Sequence, residues 1–225
     1  MRDLRRVSQK VNAIISTIDK LEGEVLLKEI CTDNVDYQAR GVPISKILDY
    51  ISGNSGLTEE TIYMTLQREG NRYPVLSGAT LNVTRLGTIP QCDIKGNELK
   101  LFINREGLLV ARKGKAGATK FLPKGAYTLN DDAYILYLKD SCPYKISLKW
   151  LSIQCSRSFF KHASSSDNGT WNMSGFFNNV KIDIPKMQDQ ERVVMLWDKA
   201  EKRLMKMRSI QSKFESLCAK VISIA

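Results

Sequence analysis

The sequence predicts a mixed fold: a strand-rich globular middle held between two long helices. Three features predict it. An apolar seam with coiled-coil spacing runs along each end of the chain. The length of 225 residues leaves roughly 150 for one domain between those seams. Between them lie short apolar runs separated by turn residues.

The C-terminal seam is the longer. Val193, Trp197, Ala200, Leu204, Met207, Phe214, Cys218 and Val221 step by four, three, four, three, seven, four and three, interrupted only at Gln211. A mean step of about 3.5 residues marks a narrow coiled-coil seam rather than a wide core face. Lys199, Lys202, Arg203, Lys206, Arg208 and Lys213, with Asp198, Glu201 and Glu215, fill the positions between and solvate the other faces. The plainer alternative is an amphipathic helix lying on its own domain, but such helices usually run only about 8–20 residues. The apolar run "VKIDI" and Pro185 precede this helix, so a strand is expected to stop at the proline just before it. At the N-terminus Val7, Val11, Ile14, Ile18, Leu21 and Val25 repeat the four–three alternation, weakened near its end by Gly23. Helices of this kind pair, within one chain or across a dimer.

The middle is read in chain order. "ISKILDYI" (44–51) fits a strand or a short helix and stops at the turn cluster "SGNSG". "TEETIYMTLQREG" fits a short helix capped by Thr58 and ended by Gly70. "YPVLSG" is a brief strand whose Pro74 suits an edge or a strand start. "LKLFI" and "LLVAR" are two strands with "NREG" as a hairpin-like turn between them. "AYILYL" is a buried strand. "YKISLKWLSIQC" places Ile146, Leu148, Trp150, Leu151, Ile153 and Cys155 along a helix.

Composition narrows the function. Lys and Arg number 34 against 24 acids, a net charge of +10 with a pI near 9.4. That surplus suits a polyanionic partner, although many basic proteins bind none. It is spread through the folded segments rather than gathered in a basic tail. No apolar run reaches the ~18 residues of a membrane span, and no signal-type apolar core follows the basic start. Cys31, Cys92, Cys142, Cys155 and Cys218 are odd in number, widely spaced and without a CxxC pair. Reduced thiols in the cytoplasm are expected, and no zinc site.

Few residues offer catalysis. His162 is the only histidine, in a Ser-rich loop where a surface role is the ordinary one. No GxxxxGK[ST] or GxGxxG phosphate loop occurs. Asp93, Glu98 and Lys100 in "CDIKGNELK" loosely fit a metal-dependent nuclease, but Gly96 and Asn97 make a solvated turn the simpler account. "VARKGKAGATK" has a better claim. A strand delivers Arg112, Lys113 and Lys115 onto a glycine-containing loop, with Lys120 beyond it. Lysines there can neutralise phosphates, and arginine can read guanine in the major groove. The plain reading is an exposed charged hairpin. "SSSDNGTWN" is the second candidate loop: Asn168, Thr170 and Asn172 could read base edges, with Trp171 as anchor, while Asp167 and Gly169 fit an ordinary turn.

These stretches resemble a specificity subunit of type I restriction-modification systems. "VKIDIPKMQDQERV" is similar to the family's junction, where a strand ends in Ile-Pro and a Gln introduces a long helix. "ISKILDYISGNSGLT" resembles the opening of its target recognition domain. "YPVLSG", "LLVARKGKAGATKF" and "YTLNDDAYILYL" resemble its central strands and loops. The resemblance implies an α+β fold: an N-terminal coiled-coil helix at 1–29, a DNA-binding target recognition domain at 30–184, and a C-terminal coiled-coil spacer helix at 185–225. It implies double-stranded DNA, DNA methyltransferase (modification) subunits and a restriction subunit as partners. It also implies no catalysis and no cofactor on this chain, S-adenosylmethionine being bound by the methyltransferase. The chain lacks that enzyme's methionine-donor loop and Asn-Pro-Pro-Tyr-type motif. Family members usually carry two recognition domains and read a split site; this chain has one. It therefore resembles a half-length form that dimerises, through Val11, Ile14, Ile18, Leu21, Val193, Trp197, Leu204, Met207 and Phe214, or one half of a longer subunit. A coiled-coil adaptor whose middle binds protein, and the nuclease above, are the rival readings.

Overall fold

The computed structural model describes residue 9 and residues 35–78, 84–164 and 169–224. Tyr37–Met187 forms one compact unit, and the long C-terminal helix belongs to another.

Chain order in the first unit begins with β1 (Tyr37–Pro43), a 3-10 turn (Ile44–Lys46) and β2 (Leu48–Ser52). Helix α1 (Glu59–Tyr63), β3 (Tyr73–Ser77) and β4 (Thr84–Ile89) follow, and then the long strands β5 (Phe102–Ala111) and β6 (Thr119–Leu129). Strand β7 (Ala133–Leu138), helices α2 (Leu148–Gln154), α3 (Ser156–Lys161) and α4 (Met173–Asn179), and β8 (Lys181–Pro185) complete it. A six-stranded sheet has the order β2-β7-β5-β6-β3-β4, and β1 pairs with β8 in a second, two-stranded sheet. All pairings are antiparallel except β3 with β6.

The central strand explains itself. Residues 107–111 of β5 are all buried, the mark of a strand covered on both faces. Leu109 joins Leu76, Phe102, Leu122, Leu129, Ala133 and Ile135 in one cluster, while α2 packs on β5 and β6 and buries Leu148, Trp150, Leu151 and Ile153. Burying each such side chain stabilises the fold by about 1.5–3 kcal/mol. A second cluster, Leu57, Ile62, Val75, Ile89 and Leu99, holds α1 to the β3–β4 edge. Cys155 is buried, which pushes its thiol up to about 12 and removes it as a nucleophile at neutral pH.

Three expectations are corrected. "NREG" is no hairpin turn: β5 runs straight through it, absorbing the polar residues as register shifts between Ile103, Arg105 and Gly107, with Asn104 at φ 55°. A bulge lets one strand carry extra residues without reversing. Of the two positions expected for Pro74, the strand start holds and the edge does not: β3 begins at Tyr73 and sits between β6 and β4, and the missing N–H falls before the parallel ladder with β6, which begins at Val75. Helix α1 ends at Tyr63, well before Gly70. Thr58 and Thr61 cap its start reciprocally, and the Arg72 guanidinium takes up the carbonyls of Thr65 and Thr88 beyond its end.

Strand β8 ends at Pro185, whose carbonyl accepts from Gln38 Nε2 at 2.8 Å. Helix α5 (Met187–Ile224) then runs for 38 residues, about 57 Å at 1.5 Å per residue. Its burial follows the seam. Val193 is buried and Trp197, Ala200, Leu204 and Met207 are half-buried, whereas Lys199, Lys202, Arg203 and Lys206 are exposed. The Phe214 side chain and the N-terminal seam of Val11, Ile14, Ile18 and Leu21 lie outside the described residues. Among the described residues, no helix is long and apolar enough to cross a membrane.

Candidate nucleic-acid interface

The β5–β6 loop is closed by its own backbone. Gly117 N donates to the Ala111 carbonyl at 2.9 Å, Ala111 N to Ala118, and Ala118 N to Lys115. Gly114 and Gly117 take the left-handed conformation at φ 71° and 84°, which glycine adopts without steric penalty. Gly117 is also a point of close approach: a Cβ there would sit 2.7 Å from the Phe159 carbonyl oxygen and 3.2 Å from Phe160 Cα. The loop therefore lies directly on α3.

The four cations named from the sequence have different fates. Arg112 turns inward: its Nη1 donates to the Asp131 carbonyl at 3.1 Å, its guanidinium lies 5.9 Å from the Tyr134 ring, and its Nε is buried without a partner. Lys113 is exposed, but its ammonium is 2.9 Å from Asp132 Oδ1 and 3.6 Å from Asp131 Oδ2. The hydrogen bond to Asp132, with the charges of both aspartates, raises its pKa. Lys115, at the tip, and Lys120, on β6, are exposed, and no ion pair reaches them among the described residues. They are the cations of this loop left for an external anion.

The second loop is pinned to the first. Trp171 N donates to the Arg112 carbonyl at 2.8 Å, and Trp171 Nε1 to the Phe159 carbonyl at 3.0 Å. The indole is 2% exposed and packs against Phe159, Phe176 and Tyr134. Ala163 pairs with Trp171, and Ser164 Oγ accepts from Thr170 N at 2.9 Å, so the loop's ends close on each other. Thr170 is exposed. Asn172 Oδ1 accepts from Gly175 N at 2.8 Å as the N-cap of α4, which occupies that oxygen. Asn168 lies outside the described residues.

One contribution escaped the sequence reading. Helix α3, on which the cationic loop rests, exposes Arg157, Lys161 and Phe160, the last at 55%. The signal was present in "SRSFFKH": basic residues interleaved with aromatics are a nucleic-acid-binding pattern. The aligned phenylalanines divide the work. Phe159 is fully buried and stacks on Phe176, and Phe160 faces out.

Of the rival carboxylates, Asp93 is used locally and Glu98 is exposed. Asp93 Oδ1 accepts from Lys95 N and Asn97 N, and Oδ2 from Asn97 Nδ2, each at 2.8 Å. Lys100 Nζ turns to Ser52 Oγ at 2.9 Å. Among the described residues no cluster of His, Cys, Asp and Glu could hold a metal ion.

No protein-family model and no curated protein sequence matches the chain. Solved structures do. The HsdS subunit from Thermoanaerobacter tengcongensis superposes with a TM-score of 0.61 at 16% identity, covering 99% of this chain and 54% of that one. The type I restriction-modification S subunit from M. genitalium gives 0.52 at 17% identity, covering 80% and 42%. A chain from the complex assembly and conformational transition of the type I R-M system gives 0.60 at 18% identity, covering 97% and 56%. The chain thus has the fold of type I specificity subunits and spans about half the length of those it matches. At such identities the likeness is one of fold, and function has to be argued from the site.

Proposed function

We propose that this chain is the DNA-recognition (specificity) subunit of a type I restriction-modification system, acting in the cytoplasm. The observation that carries this reading is the fold likeness to an HsdS subunit over 99% of the chain. The site supports it: a cationic loop, closed on itself and seated on α3, leaves Lys115 and Lys120 for phosphates, with Thr170 exposed on the neighbouring loop. The chain supplies the address and no chemistry. Modification subunits carrying S-adenosylmethionine would methylate adenine, and a restriction subunit would cut.

One recognition domain, on a chain half as long as its structural likenesses, is presented twice by a homodimer or by a joined second half. Helix α5, with its narrow seam at Val193, Trp197, Leu204 and Met207, is the element suited to that pairing and to setting the distance between two half-sites. Replacing Leu204 and Met207 by Asp is expected to break the dimer. An unchanged oligomer by light scattering would remove this part of the proposal.

The function itself is tested by fluorescence anisotropy on duplex DNA at several salt concentrations. Affinity is expected to fall steeply with salt, with a log–log slope of about −0.9 per phosphate contact. Absence of salt-dependent binding would favour the adaptor reading. Magnesium-dependent cleavage by the isolated chain, lost on Asp93→Ala or Glu98→Ala, would favour the nuclease.

A further inference from the structure

A shallow cleft of about 390 Å³ is lined by Ser158, Lys161, His162, Asn179, Val180 and Lys181. No carboxylate is among these residues. Lys161 and Lys181 are exposed, and no ion pair reaches either of them among the described residues. They come from different elements, the end of α3 and the start of β8, so their convergence is a product of the fold.

His162 lines the same cleft. Its Nδ1 lies 2.8 Å from the Ser158 carbonyl, and its ring stands edge-on to Phe176 at 5.8 Å. With Nδ1 donating to that carbonyl, Nε2 is the ring nitrogen left over. Lys161 has a simpler role available, since a cation in the last turn of a helix balances its terminal carbonyls. That account does not reach Lys181, which stands on a strand. Two lysines, a histidine and a serine around one open cleft without a carboxylate constitute a site for an anion.

We infer that this cleft takes a backbone phosphodiester of the bound duplex, with Lys161 and Lys181 as its charges and His162 as its floor. The inference rests on the DNA-recognition reading. Helix α3 is about 9 Å long and carries the 112–118 loop against Phe159 and Phe160 while Ser158 and Lys161 line the cleft. The loop that bears Lys115 and the cleft thus share one short helix.

His162 is the sole histidine, so its ring gives one unambiguous NMR signal in the full-length chain. The probes are a 30-base-pair duplex of arbitrary sequence and inorganic phosphate alone. The duplex is expected to shift the His162 signal saturably, while phosphate at equal phosphorus concentration leaves it in place. The Lys161→Ala/Lys181→Ala variant is expected to keep the parent's melting temperature, lose that shift, and bind the duplex with a salt slope lower by about one unit, as for one lost phosphate contact. If the parent binds the duplex with a steep salt slope but the His162 signal stays still, or the variant keeps the parent's slope, the cleft assignment is wrong and the DNA reading stands. If phosphate alone saturates the signal and the duplex does not, the cleft serves a free phosphate and the inference is overturned. If the parent shows no salt-dependent binding, the DNA reading itself fails, and this inference with it.

Discussion

Two charged, glycine-bearing loops in the same domain look alike in sequence and behave in opposite ways. The Cys92–Glu98 loop closes on its own carboxylate: Asp93 takes three hydrogen bonds from Lys95 and Asn97. The Arg112–Ala118 loop closes through its backbone, with Gly117 against α3 and Trp171 beneath it, while Arg112 and Lys113 engage Asp131 and Asp132. The first spends its charge on holding its own shape. The second uses Arg112 and Lys113 for its own shape and still leaves Lys115 for a partner. A charged turn can therefore serve as a binding loop when some of its charges are not needed to keep it in place.

The sharpest way to break this contrast is to remove the anchor that only the second loop has. Trp171→Ala deletes a fully buried indole and its Nε1 hydrogen bond to the Phe159 carbonyl, at the junction of Arg112, Phe159 and Phe176. A loss of about 3–5 kcal/mol is expected in urea unfolding. A loss below 1 kcal/mol would mean that the two loops are held independently.

Next in size is the double variant Lys115→Ala/Lys120→Ala. Each lysine, if it meets a phosphate, contributes about 0.9 to the salt slope, so affinity near 0.15 M salt is expected to drop roughly 30-fold. The melting temperature is expected to stay where it is. A parent-like slope would move the DNA surface to Thr170 and α3.

Arg112→Ala separates structure from recognition within one loop. Its guanidinium ties the β5–β6 loop to the Asp131 carbonyl, so a loss of stability of about 1 kcal/mol is expected, in line with one hydrogen bond. The salt slope is expected to change little. A discrimination loss of about 1–3 kcal/mol confined to one base pair of a cognate site would instead show that Arg112 reaches a base on binding.

Asp93→Ala has the smallest expected effect. The side-chain hydrogen bond from Asn97, with the backbone N–H groups of Asn97 and Lys95, holds the Asp93 carboxyl below its usual value of 3.8. A depressed carboxylate contributes stability above its unfolded pKa, and that contribution is lost as pH falls through the folded value. The parent is therefore expected to lose a small increment below about pH 3.8 that the variant never had, visible as converging melting temperatures in acid. DNA binding at neutral pH is expected to be equal in the two. A weaker duplex affinity in Asp93→Ala would erase the distinction between the loops.

Much of the architecture was legible in the residues. The seam from Val193 to Met207, the strand stop at Pro185, the buried run 133–138 and the helix from Leu148 all follow from periodicity and turn chemistry, which act over a few neighbouring residues. Local signals misread β5, because a bulge and a turn use the same polar and glycine residues and only the partner strand decides between them. They also misread the reach of α1, whose end depends on Arg72 arriving from beyond the helix. At the candidate site, the sequence by itself determined that Arg112, Lys113, Lys115 and Lys120 sit at or beyond the end of a strand. Only the tertiary structure decided which of them are occupied. Asp131 and Asp132 lie on the next turn and engage Arg112 and Lys113, α3 rises under Gly117, and Lys181 joins Lys161 in one cleft across 19 intervening positions. Charge is a property of the residue, but its availability depends on neighbours that the chain brings up from far away, and that information enters only with the fold.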